Sequence, residues 1–231
     1  MEPIGIVDAA RQLEVSPRRV HQLVSAGQLS GHQIERSWVL DRAEVQRFAR
    51  SRPAAGRPWS PSSAWNVLAL ADGDAVRGSP VDRSRAKKRL QVGLESLAKR
   101  LSSRAQSRWF YAHPAVQSEM LSYPDVVASG VSALNAHRVD LIVSDQAEAY
   151  VPESRVSELA DRFALDADSD RPNVRLRVVD DDDWPFEADQ RVAPAPVVAV
   201  DLLDADDERS QRAARGLLAR CTIARPEPAP T

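Results

Sequence analysis

Apolar residues in the first thirty positions recur with the three-to-four-residue spacing of a helix, interrupted by one polar break. The two apolar stripes are Ala9, Ala10 and Leu13, followed by Val20, Leu23 and Val24. Between them, Ser16-Pro17 supplies a helix N-cap with proline at the first helical position, and Gly27 is a typical left-handed residue after a helix. The pattern predicts two short helices joined by a tight turn.

The second predicted helix has a polar, cationic outer face. At about 100° per residue, Arg18, Gln22 and Ser25 project away from the apolar stripe, and Arg19 and His21 flank them. Arginine and glutamine match the major-groove edges of guanine and adenine, while flanking cations hold phosphates. The face therefore predicts a helix that reads DNA.

A small hairpin and a third helix follow. Residues 29–40 contain two extended segments around a polar tip at Glu35-Arg36-Ser37. Asp41-Arg42-Ala43-Glu44 is a capping box that opens a helix, with Val45 and Phe48 facing inward.

These residues together resemble the winged helix-turn-helix of the excisionase and MerR-type group. The matching pieces are Asp8-Ala9-Ala10, Leu13-Glu14-Val15-Ser16, Arg19-Val20, Leu23, Gly27-Gln28-Leu29 and Trp38-Val39-Leu40 before Asp41. Such domains place the second helix in the major groove and the wing against the minor groove or backbone. By this resemblance the DNA contacts are Ser16, Arg18, Arg19, His21 and Gln22, with Arg36 and Ser37 at the wing tip. The alternative is a protein-docking module, which a cationic outer face disfavours.

Prolines between Ser51 and Pro61 cannot continue the preceding helix. We therefore predict a DNA-binding domain over residues 1–52, a linker over 53–61 and a second domain over 62–225. Residues 226–231 alternate proline with small residues that bury nothing, which predicts a disordered tail.

The second domain begins with helices, one of them basic. Ser60-Pro61 opens a helix ending by Gly73, and a longer helix is predicted over Asp82–Leu101 from its leucine spacing. Its basic residues, extending past position 104, are Arg83, Arg85, Lys87, Lys88, Arg89, Lys99, Arg100, Arg104 and Arg108. Two interpretations stay open: a phosphate-binding surface that includes Lys87 and Lys88, or a solvated face that balances acidic residues elsewhere.

The rest of the second domain mixes helices and strands. Strands are predicted over Ser107–Tyr111, Val139–Val143, Glu148–Val151 and Asn173–Val179, with a short extended piece over Asp125–Ala128. Helices are predicted over Pro114–Leu121, Val131–Ala136, Glu153–Phe163 and Asp206–Leu218, and the segment Val192–Leu203 is apolar and interrupted by prolines. The predicted fold class is α+β, with an N-terminal winged helix-turn-helix followed by a mixed α+β domain.

Charge is unevenly distributed along the chain. The segment up to Phe110 has 19 basic and 10 acidic residues, and the remainder has 12 basic and 23 acidic residues, giving net charges of +9 and −11. Such a division indicates surfaces for partners of opposite sign, or two halves that attract one another.

Several classes of protein are excluded or disfavoured. No apolar run approaches the roughly 18 residues of a membrane span, and Met1-Glu2-Pro3 does not begin a secretory signal, so a cytoplasmic protein is expected. The single Cys221 rules out an intramolecular disulfide and a cysteine-based zinc site. Asp166, Asp168 and Asp170 mimic a calcium loop, but Arg171 replaces its glycine. We expect no cofactor, no metal and no enzymatic activity.

Segments of the second domain are similar to the bacterial type IV abortive-infection antitoxins (AbiEi-like proteins). They are Ser129-Gly130-Val131-Ser132-Ala133-Leu134, Ala149-Tyr150-Val151, Val174 to Val179, Val192-Ala193-Pro194 and Val198 to Leu203, with the helix of Ala213, Ala214 and Leu217. The resemblance implies an autorepressor that neutralises a nucleotidyltransferase-like toxin, with double-stranded DNA as one partner and that toxin, bound through the acidic half, as the other. Because one reader domain contacts only a short DNA site, a homodimer or repeated sites are a further expectation. The alternative is a stand-alone regulator whose second domain dimerises or senses a ligand.

Overall fold

The structure is a computed structural model that describes residues 3–13, 15–25, 29, 31–34, 37–51, 59–205 and 207–221. The chain divides into two compact units, unit 1 over residues 1–52 and unit 2 over residues 53–231. Predictions made for Gly27, Arg36, linker residues 53–58 and the tail 226–231 lie outside the described residues. Both units combine helices with a sheet, which confirms the α+β class.

Unit 1 consists of short helices and a small antiparallel sheet. Its elements are β1 (Pro3–Gly5), α1 (Ile6–Gln12), α2 (Pro17–Ser25), β2 (Gly31–Ile34), β3 (Ser37–Asp41) and α3 (Arg42–Ser51). Strand β3 is central and pairs with β1 on one side and β2 on the other. The strand β1 was not predicted, because three residues are too few to show a period.

The core of unit 1 contains the two apolar stripes of the sequence. Ala9 of α1 and Leu13, which follows that helix, pack with Val20 and Leu23 of α2. Helix α2 begins where the cap signal predicts, since Ser16 Oγ accepts a hydrogen bond from the Arg19 amide at 3.3 Å. This cap and the apolar stripe fix which face of α2 points outward.

Unit 2 is larger and contains a four-stranded sheet. Its helices are α4 (Pro61–Asp72), α5 (Pro80–Leu90), α6 (Leu94–Leu101), α7 (Pro114–Leu121), α8 (Val156–Arg162), α9 (Ala195–Leu203) and α10 (Glu208–Arg220). Its strands are β4 (Gln106–Phe110), β5 (Val127–Ala128), β6 (Ala147–Pro152) and β7 (Val174–Val179). The strand order is β4-β7-β6-β5, with β6 and β7 parallel and both outer strands antiparallel to their neighbours.

Both faces of this sheet are buried. One face, which includes Tyr150 and Val179, packs against α4, α6, α9 and α10. The opposite face, which includes Leu176, packs against Met120 of α7 and Leu159 of α8. Every residue of β6 and β7 is consequently buried, polar ones included.

Two predicted elements of unit 2 were wrong. The single basic helix over 82–101 is two helices, because Gly93 adopts a left-handed φ of 83° and separates α5 from α6. The predicted helix over 131–136 is a 3₁₀ turn at Gly130–Ala133 followed by turns.

The predicted strand over 139–143 was also wrong. Val139, Leu141 and Val143 are partly buried while Ile142 is 92% exposed, so the side chains alternate as in a strand. The backbone there pairs with no strand of the described sheet, however. In the proline-interrupted segment, helix α9 forms from Ala195, because Pro194 and Pro196 stand at its start.

Candidate nucleic-acid interface

The outward face of α2 carries the polar side chains that the helical spacing predicts there. Arg18, Arg19 and Gln22 are exposed, whereas Val20 and Leu23 beneath them are 0% and 2% exposed. Arg19 Nη1 donates a hydrogen bond to Gln22 Oε1 at 3.2 Å, which leaves the amide nitrogen of Gln22 free to donate outward. Within the part of the chain that the structure describes, neither arginine forms a salt bridge. The face therefore offers guanidinium and amide donors to a ligand.

Two other predicted contact residues also have roles inside unit 1. Ser16 is exposed and caps α2 through its hydroxyl oxygen. His21 is exposed, and its ring lies edge-on to Trp38 of β3, with ring centroids 6.5 Å apart. The contact between His21 and Trp38 connects α2 with the hairpin.

The hairpin next to α2 consists of β2 and β3. Their register pairs Gly31 with Leu40 and Ile34 with Ser37. Ser37 was predicted at the tip, but it is the first residue of β3. Arg36 lies outside the described residues. The predicted hairpin thus has its strands at 31–34 and 37–41.

Comparison with known proteins identifies this part of the chain. Residues 5–53 match the family described as Helix-turn-helix domain. This match spans α1, α2 and α3 and confirms an N-terminal helix-turn-helix domain, the class of fold that DNA-binding regulators use. No curated protein and no solved structure matches the chain. The resemblance to AbiEi-like antitoxins therefore remains an interpretation of sequence segments.

The positive charge of the N-terminal half belongs mostly to unit 2. Unit 1 has eight basic and six acidic residues, so most of the +9 lies in residues 53–110. Lys87 and Lys88, the remaining predicted DNA contacts, are exposed on α5. The boundary between basic and acidic halves consequently runs through unit 2.

Sequence reasoning missed a buried charged cluster in unit 2. Its central residue is Asp201 of α9, 1% exposed, which accepts hydrogen bonds from Arg104 and Ser129. The Tyr150 hydroxyl donates to Asp201 Oδ1 at 2.8 Å and accepts from Arg104 Nε at 2.6 Å. Arg177 Nε lies 2.8 Å from Asp201 Oδ1.

The charged forms of Asp201, Arg104 and Arg177 stabilise one another. Burial opposes the charge on Asp201, but the guanidinium groups of Arg177 and Arg104 outweigh it and lower the pKa of that carboxyl below its usual range. Burial likewise opposes the charges of both arginines, and their anionic surroundings, which include Asp201, raise their pKa values. A second carboxylate, Glu148, accepts from Arg177 Nη1 at 2.6 Å. The cluster joins α9 to β6 and β7 and pairs Arg104 and Arg177 with carboxylates, although Arg177 Nε makes no hydrogen bond.

The described residues show neither a metal site nor a membrane-spanning helix. In the ranges that the structure describes, no group of three or more histidine, cysteine, aspartate and glutamate side chains is placed to hold a metal ion. None of the helices described is long and apolar enough to cross a membrane.

Proposed function

We propose that this chain is a sequence-specific DNA-binding transcriptional regulator, with α2 in the major groove and the β2–β3 hairpin as the wing. The observation that carries the proposal is the outward face of α2, where Arg18, Arg19 and Gln22 stand exposed above a buried apolar stripe. The helix-turn-helix match over the same residues supports it.

Each side chain has a distinct part in this proposal. Arg18 and Gln22 point most directly away from the core, so they contact base edges, where each good bidentate pair discriminates by about 1 to 3 kcal/mol. Arg19, on the flank, contacts phosphate, and its hydrogen bond to Gln22 fixes the orientation of that amide. His21 and Ser16 position α2 relative to its neighbours.

One domain of this size contacts only a short DNA site. Helix-turn-helix proteins commonly bind as dimers to two half-sites about 34 Å apart, or to repeated sites. We therefore propose a homodimer on a palindromic operator, with the chain repressing its own promoter.

Selection of binding sites from a pool of randomised duplexes tests the proposal, followed by anisotropy titrations on the selected duplex. We expect Arg18→Ala to weaken binding by about 1 to 3 kcal/mol and to relax base preference. Arg11→Ala is the matched control, because Arg11 is an exposed arginine of the same unit that pairs with Asp8 at 3.0 Å. Wild-type affinity and preference in the Arg18 variant would refute the groove assignment.

We further propose, on the resemblance to AbiEi-like antitoxins, that the chain neutralises a nucleotidyltransferase-like toxin. Co-expression with the product of the neighbouring gene tests this role through cell growth and co-purification. If co-expression does not rescue growth and the two proteins do not co-purify, the antitoxin role is refuted. That result would favour the stand-alone regulator, whose second unit dimerises or senses a ligand. We assign no catalytic step to either unit.

A further inference from the structure

The basic residues between positions 83 and 108 fall into two groups in the structure. Arg104 pairs with Asp201 inside unit 2, and Arg108 Nη2 lies 2.9 Å from Glu153 Oε1. The other members lie on α5 and α6 with exposed or half-exposed side chains: Arg83, Arg85, Lys87, Lys88, Arg89, Lys99 and Arg100. Only the first group is neutralised by the acidic half of the chain.

The carboxylates of α5 and α6 are engaged elsewhere. Asp82 caps α5 by accepting hydrogen bonds from the amide and hydroxyl of Ser79 at 3.0 and 2.7 Å. It lies 3.7 Å from Arg85, while Glu95 pairs with Arg215 of α10 at 2.8 Å. Across residues 59–205 and 207–221, the six remaining cations of α5 and α6 have no salt bridge. These six cations are therefore available to an anionic ligand, which the phosphate-binding interpretation requires.

Two of these arginines, Arg89 and Arg100, lie near the ring of one tryptophan. The guanidinium carbon of Arg89 lies 4.2 Å from the ring centroid of Trp59, and that of Arg100 lies 6.0 Å from it. Arg85 is one helical turn before Arg89 on α5. Burial first, and then repulsion from Arg85 and Arg100, lowers the pKa of Arg89. We call Arg85, Arg89 and Arg100 the arginine cluster.

The arginine cluster has one weak counter-ion, Asp82 at 3.7 Å from Arg85, so binding of an anion to the cluster is favourable. Guanidinium groups match phosphate oxygens in a bidentate way, and stacking against Trp59 fixes the orientation of Arg89. Several exposed cations on two consecutive helices suit a polyanion better than a single small anion. The same chain carries a DNA-reading unit, so DNA held by α2 is presented to this surface at high effective concentration.

We propose that the arginine cluster and Trp59 form a second, sequence-independent contact with the phosphate backbone of the DNA that α2 reads. This inference rests on the proposed function, and it names α5 and α6 as the elements that extend the DNA footprint. Because the contact is with phosphates, it changes affinity and salt dependence and leaves base preference unchanged.

The test is the salt dependence of binding of the full chain to a random-sequence duplex of about 30 base pairs. Removing two phosphate contacts with Arg89→Gln/Arg100→Gln lowers the slope of log K against log salt by about 1.8 in magnitude. Between about 50 and 200 mM salt, wild-type affinity then falls about tenfold more than that of the variant. The matched control is Arg209→Gln/Arg212→Gln, which removes two exposed arginines of α10 in the same unit.

The same titration in an Arg18→Ala/Gln22→Ala background separates this inference from the groove assignment. We expect the residual, non-specific binding of that background to keep its dependence on Arg89 and Arg100. Three outcomes would overturn the inference. The Arg89/Arg100 change leaves the slope unaltered, the α10 control lowers the slope equally, or the chain binds no duplex at low salt. If the Arg89/Arg100 change lowers the slope as expected but no binding site is selected from the randomised duplexes, only the groove assignment is refuted.

Discussion

Replacement of Asp201 by alanine is expected to destabilise unit 2 strongly and to leave unit 1 folded. The change removes the carboxylate shared by Arg104, Arg177, Tyr150 and Ser129. Breaking a buried ion pair by removing one partner costs about 3 to 5 kcal/mol, because the remaining charge is buried without compensation.

The structure places the expected cost within that range. Arg177 keeps Glu148 at 2.6 Å, and Arg104 keeps Asp204 at 3.3 Å, so neither guanidinium loses its last carboxylate. We therefore expect a loss of about 3 to 4 kcal/mol in the free energy of unfolding, a large share of the roughly 5 to 15 kcal/mol of a typical domain.

Urea unfolding followed by tryptophan fluorescence measures this loss. Trp38 is the single tryptophan of unit 1, and the other four of the chain's five lie in unit 2, so the signal reports mainly on unit 2. The control is Asp204→Ala, whose carboxylate is 20% exposed and lies 3.3 Å from Arg104, and for which we expect a loss of at most about 1 kcal/mol. A loss below about 1 kcal/mol for Asp201→Ala would show that the two arginines reach water without their partner, and that the buried pairing does not stabilise unit 2.

Three further expectations concern unit 2. Gly130→Ala should destabilise it, because Gly130 has a positive φ of 49° and a Cβ there would collide with the Glu148 carboxylate; an unchanged urea midpoint would contradict this. Asn66→Ala should cost about 1 to 3 kcal/mol in thermal unfolding, since its buried amide makes two 3.0 Å hydrogen bonds with the Arg77 backbone; a cost near zero would mean water replaces them. Because the folded state lowers the pKa of Asp201, that residue stabilises the fold above its unfolded pKa of about 4, and this contribution disappears as pH falls through the folded pKa. The stability gap between wild type and Asp201→Asn, measured by urea titration, should therefore narrow below about pH 4, and a constant gap would argue against an ionised Asp201.

The helix-turn-helix was predictable because its signals are local. The Ser16-Pro17 cap, the apolar stripe of α2 and the polar residues opposite it all depend on spacing within a few turns. The break between α5 and α6 was missed for a related reason. Leu90 and Leu94 are four residues apart, so the helical period continues across a segment that Gly93 interrupts.

The buried charged cluster was beyond what local patterns show. Alternation of arginine with valine and leucine in β7 indicates a strand with one solvated face, yet Arg175 and Arg177 are 7% and 1% exposed. The available signal was Asp201, one acid within the apolar run of α9, which needs a cationic partner when buried. Its partners lie on other elements, and only tertiary structure brings them together.

The claim that the outer face of α2 reads DNA is tested most directly by mapping where that face touches the duplex. A chain with Pro17→Cys and Cys221→Ser keeps Arg18 and Gln22 and carries a single thiol at the exposed first residue of α2, for an iron chelate that cleaves nearby DNA. We expect cleavage at a few positions facing the major groove of the selected site, and weaker, displaced cleavage when the chelate is attached through Arg11→Cys. Uniform cleavage along the duplex, or the same pattern from both positions, would contradict it.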